Sequence, residues 1–194
     1  MTDPEFQLRV LESAVGELES YLLSSEIFWR MSGPAGLPSL TLGGLELARR
    51  ALLAALGELD PDDRQRAHQA IQRIDELRQP RRAAWERKAG GEMKVRLNQW
   101  RAYLQDLAEQ PGDSERYIQE VRTRAMATYL LEESDRLPEA GELRETLEVL
   151  DARLRASFEA GRFIWDPALE SAYPAADYWF LYGRPGKLAK RGQT

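Results

Sequence analysis

Between Pro80 and Glu109 the apolar residues Trp85, Ala89, Met93, Leu97, Trp100, Leu104 and Leu107 recur every three or four positions. That spacing lines one face of a helix and is incompatible with a strand, whose side chains alternate. Gly90-Gly91 interrupts the stretch, and two glycines cost about 2 kcal/mol relative to alanine in a helix interior. The stripe does not reset across the pair, so it predicts one continuous helix.

The same period recurs along most of the chain, punctuated by proline and glycine. Asp3-Pro4 and Asp60-Pro61 each pair a capping residue with the imino acid favoured at the first helical position. The first stripe runs Phe6, Leu11, Val15, Leu18, Leu22, Trp29 and stops at the loop SGPAGLP, residues 32–38. A second segment covers about 41–59, a third carries Ala67, Ala70, Ile71, Ile74 and Leu77, and Pro111-Gly112 turns the chain into a fifth, capped by Asp113 or Ser114. The sixth carries Leu143, Leu147, Leu150, Leu154 and Phe158, with Gly161 as its expected C-terminal cap. No strand with a visible partner emerges. The chain reads as all-α: about six helices in an up-down bundle over 1–161, an irregular aromatic-rich segment over 162–185 packed on it as a strap, and a disordered basic tail over 186–194.

Composition narrows the chemistry. There is no cysteine, hence no disulfide and no thiolate site. The start, MTDPEFQLRVLE, has no apolar leader, and Ala51 to Leu56 is too short to cross a bilayer. Together these predict a cytoplasmic protein without a membrane partner. A net charge of −5 argues against a general nucleic-acid binder. The single histidine, His68, is too few for a zincin or a ferritin-like di-iron site, and no pattern demands a cofactor.

Three candidate sites remain. Glu142, Glu145, Glu148 and Asp151 form a row spaced by three, a spacing that lets helical carboxylates share Mg²⁺. On an enzyme reading, as in all-α nucleotide pyrophosphohydrolases, Glu145, Glu148 and Asp151 would be the metal ligands, with Glu132, Glu133 and Asp135 opposite. Gly43-Gly44 near a helix start could offer amides to a phosphate. The basic stretch Arg78, Arg81, Arg82, Arg87 and Lys88 reads as solvated charge.

The third candidate is FIWDPALESAYPAADYWFLYGRP, residues 163–185, with seven aromatic residues among 23. No helix can bury them all on one face, so the stretch is expected to drape over the bundle. Within it, Trp165, Tyr178, Trp179, Tyr182 and Arg184 are the types that anchor a partner or a ligand. The leading expectation is a non-catalytic helical interaction protein, scaffold or assembly subunit, with a protein partner or self-association. The alternatives are the Mg²⁺-dependent hydrolase and a bundle that binds a small ligand.

Overall fold

The computed structural model describes residues 3–109 and 114–186. The turn expected at Pro111-Gly112, the Asp113 cap and, of the basic tail expected over 186–194, residues 187–194 lie outside these residues, while the Gly186 amide donates to the Ser157 carbonyl at 2.7 Å. Six helices carry the fold: α1 (Pro4–Leu23), α2 (Leu42–Ala54), α3 (Pro61–Arg78), α4 (Arg82–Glu109), α5 (Ser114–Glu133) and α6 (Ala140–Arg155). The protein is therefore all-α, and its arrangement is compatible with an up-and-down course. The α1 helix packs on α2 and α3, α4 packs on α5 and α6, and α2 lies against α5.

Local chemistry sets the helix starts. Asp3 Oδ1 accepts from the Phe6 amide at 3.0 Å and Asp60 Oδ1 from the Asp63 amide at 2.8 Å, each ahead of a proline. The α4 helix is unbroken through Gly90-Gly91. Packing explains the pair. A Cβ on Gly90 would collide with Leu137, and one on Gly91 would stand 3.0 Å from Ile27. The glycines let two loops press onto the helix, and that burial offsets their conformational cost.

Three boundaries differ from the periodic reading. The α1 helix ends at Leu23, not near Trp29, and Trp29 pairs with Leu40 in an isolated antiparallel bridge. The α2 helix ends at Ala54, and a short 3₁₀ turn, Leu56–Glu58, carries the chain to buried Leu59. The α6 helix ends at Arg155, and Gly161 caps nothing.

The third change removes the expectation that the chain has no strand. Strand β1 (Phe158–Phe163) pairs antiparallel with β2 (Tyr182–Pro185), so the division drawn at residue 161 falls inside a strand. The hairpin is small, with Glu159 opposite Arg184 and an irregularity between Ala160 and Phe163. Its partners are 25 positions apart at that pair, too far for a turn signal to reveal. Between the strands, 3₁₀ turns at Pro167–Ala172 and Trp179–Leu181 lay the chain over α2 and α5. Tyr173, Tyr178, Phe180 and Leu181 are buried there. Tyr117 on α5 donates its hydroxyl to the Phe180 carbonyl at 2.6 Å.

Gly183 sits at φ +142°, and a Cβ there would collide with the Glu159 carbonyl oxygen and press on the Phe158 ring. Gly183→Ala is expected to lower stability by about 2–4 kcal/mol, from a strained φ plus the clash. A denaturant melt checks this. A loss below about 0.5 kcal/mol, within the range of ordinary surface substitutions, would show that the hairpin is not fixed by this glycine.

Candidate binding groove and the polar row that frames it

Three successive turns of α4 carry Lys88, Glu92 and Arg96 at i, i+4 and i+8, and all three are buried. Lys88 corrects the solvated reading of its basic stretch. Its ammonium donates to the carbonyls of Ser24 and Glu26, both at 2.8 Å, and lies 4.4 Å from the Tyr21 ring centroid. Burial pushes its pKa down. The two carbonyls belong to the chain that leaves α1, so Lys88 replaces helical hydrogen bonds and stabilises the helix stop.

One turn on, Glu92 is fully buried. Its carboxylate accepts from the Gly43 amide at 3.1 Å and from Arg96 at 3.0 and 2.9 Å. Thr41 caps α2 by accepting from the Gly44 amide at 3.0 Å, and it also meets Arg96 at 3.2 Å. The amides of Gly43-Gly44 are thus held by the protein's own oxygens, and the phosphate reading of that turn gives way to an internal carboxylate. Sequence reasoning missed this row. Its signal was a four-residue repeat of charge alongside Ala89, Met93 and Leu97.

Held at both ends by α4, the loop 24–41 is also pinned in the middle. Glu17 accepts from the Trp29 indole N–H and from the Ser32 amide, each at 2.5 Å. The Trp29 bond is the largest cause of a Glu17 pKa below the ordinary 4.5. Residues of this loop, the start of α1, α2, α5 and the 164–173 stretch together surround a groove of about 640 Å³. Val10, Leu40, Leu45 and Ala48 make its floor, and all four are buried. Ile164, Trp165, Leu169 and Tyr173 form one wall. Exposed Pro38, Ser39, Gln119 and Arg122 stand at its mouth.

The five aromatic-segment candidates do not gather at one place. Trp165 lines the groove, its indole N–H donating to the Ile118 carbonyl at 3.1 Å and its ring edge-on to Tyr173 at 5.1 Å. Tyr178 is interior, and the Arg50 guanidinium lies 5.2 Å from both its ring and that of Tyr173. Half-buried Trp179 has Arg155 over its face at 3.6 Å, with Phe158 and Phe180 edge-on. Tyr182 donates to the Tyr173 carbonyl at 3.0 Å, and half-buried Arg184 stands across the hairpin from Glu159.

The carboxylate row disperses in the same way. Glu145 and Glu148 are exposed on α6, whereas Asp151 receives two 2.7 Å bonds from buried Arg124 on α5. Glu133 is held by Arg78 and Asp135 by Arg144. Among the described residues, no group of three or more His, Asp or Glu side chains converges as a metal site would require, and no helix is long and apolar enough to cross a membrane. Comparison with protein families, curated proteins and solved structures finds no match for this chain.

Two predictions follow from the framing contacts. Lys88→Met should cost about 1.5–3 kcal/mol, because it removes the charged donor from two part-buried carbonyls. Equilibrium denaturation at pH 7 checks it, and an unchanged midpoint would refute it. For Glu17, the depressed pKa means that its contribution is complete above the ordinary value of 4.5 and is lost as pH falls through the lower folded value. The indole N–H resonance of Trp29 should therefore shift in an acid transition below pH 4.5, and Glu17→Gln should abolish that transition. Identical titrations of the two proteins would show that Glu17 does not anchor the loop.

Proposed function

We infer that the protein is a non-catalytic binding protein that takes an apolar segment of a protein partner into this groove. The observation that carries the reading is the groove itself. Its buried apolar floor opens to solvent between polar residues, and Trp165 and Tyr173 stand in its wall as rigid aromatic contacts. Concave apolar surface with a few convergent polar groups is the usual form of a recognition site. Two carboxylates elsewhere, Asp151 and Glu92, are occupied by internal ion pairs with Arg124 and Arg96.

A second reading has one specific observation in its favour. The volume of about 640 Å³ falls inside the range of about 300–1,000 Å³ that suits small molecules. Such a ligand would be largely apolar and would touch Trp165.

Gln119 is exposed at the mouth, so Gln119→Trp should fill the groove without disturbing the core. Tagged wild-type and variant chains are recovered from the native cell, and bound proteins and extractable small molecules are identified by mass spectrometry. The wild type should carry a partner that the variant loses, with both chains melting at the same temperature. A partner retained equally by both would place binding elsewhere, and a small molecule lost without any protein would favour the second reading.

A further inference from the structure

Charge is unevenly distributed along the chain. Residues 152–194 carry seven cations against four acids, a net of +3, so residues 1–151 carry −8. In much of the molecule an arginine has an acid within bonding distance, as in Arg66 with Glu12, Arg116 with Asp106 and Arg144 with Asp135. At the end built by the last turn of α6 and the hairpin, the pattern changes. Arg153, Arg155, Arg162 and Arg184 make no ion pair among the described residues, and the first three are exposed. Glu159 is the one acid in β1 beside them. The sequence beyond Gly186 continues with Lys187, Lys190 and Arg191 and contains no acid.

This end also has an apolar notch. Leu104, Leu107 and Ala108 from α4 and Leu154 from α6 surround a cavity of about 200 Å³ whose rim includes Arg153 and Gly186. A side chain the size of leucine fits such a space. The notch thus has the unpaired Arg153 at its rim.

We propose that this end is a docking surface for an acidic protein segment that carries an apolar anchor, with Arg153 and Arg162 reading its charge and the notch taking its anchor. The surface is separate from the groove described above and does not depend on it. Charge complementarity supports the acid, because unpaired arginines in a chain of opposite net charge attract and orient an anionic partner. A nucleic acid is the less fitting anion. Binding single strands uses open aromatic faces on which bases stack. Here the face of Trp179 is covered by Arg155, its neighbours Phe158 and Phe180 stand edge-on, and the Tyr182 ring lies against Phe163.

The test uses the full chain and three fluorescent probes: a glutamate-rich peptide with one central leucine, the same peptide with serine in place of leucine, and an oligothymidylate. Anisotropy at low salt should show saturable binding of the leucine peptide, weaker binding of the serine peptide, and loss of both as salt is raised. Arg153→Glu with Arg162→Glu should weaken the leucine peptide by at least about tenfold, since each added like charge opposes the encounter. The thermal melt should be unchanged, because both side chains are exposed. If the reversal perturbs the fold, Arg153→Gln with Arg162→Gln reads the same loss without introducing repulsion. Absence of saturable peptide binding, equal affinity in wild type and variants, equal affinity for the two peptides, or tighter binding of the oligothymidylate would each overturn the proposal.

Discussion

The buried row Lys88, Glu92 and Arg96 is the constraint on which the rest of the structure depends. Charges inside a helical bundle are expensive unless their hydrogen-bonding capacity is met. Each of these meets it with backbone or side-chain groups of the 24–44 region: Lys88 on the carbonyls of Ser24 and Glu26, Glu92 on the Gly43 amide, Arg96 on Thr41. One face of α4 therefore fixes where α1 stops and where α2 starts. A loop tethered at both ends and pinned by Glu17 becomes a wall, and the groove exists because that wall stands off the C-terminal segment. Burial of ionic groups adds little net stability compared with well-packed apolar side chains. What it adds is a single register, since a slip of α4 by one turn would part Lys88 from the Ser24 and Glu26 carbonyls, Glu92 from the Gly43 amide and Arg96 from Thr41.

The opposite wall depends on aromatic contacts. An unbroken path of ring contacts runs from Trp100 through Tyr103 and Tyr117 to Phe158, Trp179 and Phe180, then through Tyr178 and Tyr173 to Trp165, Phe163 and Tyr182. Several contacts are edge-on, the geometry in which one ring's positive edge meets another's negative face. Arg50 and Arg124 lie on rings of this path and bind neighbouring groups, Arg50 through the Ala172 carbonyl at 2.8 Å and Arg124 through Asp151. The path ties α4 and α5 to the hairpin and sets Trp165 beside the groove. A two-stranded hairpin is marginal by itself in water. This one persists because Phe158 and Phe180 join the core of the bundle.

Legibility differed by element. The six helices, the caps at Asp3 and Asp60, and continuity through Gly90-Gly91 were readable because period and capping are local. Trp85, Met93 and Trp100 were placed in the core by their phase alone, and all are buried. The end of α1 was not readable, because Lys88, 64 positions from Ser24, determines it. The ends of α6 and of β1 depend on β2, whose sequence YGRP carries no strand pattern. The candidate sites were least legible. Trp165 was singled out for its type and lines the groove, but nothing in its neighbourhood foretold Val10, Leu45 or Ala48 beneath it.

By itself the sequence determined that this chain is helical, where its turns of helix begin, which faces are apolar, and which metal and thiol chemistries its composition excludes. These are properties of residues within about seven positions of one another, where backbone geometry alone relates side chains. Tertiary structure decided which charges are buried, that a hairpin closes the C-terminal segment, that the Gly43-Gly44 amides face a carboxylate, and where a groove remains open. Each of those outcomes joins residues tens of positions apart, and a partner at that distance leaves no periodic trace in the chain that needs it.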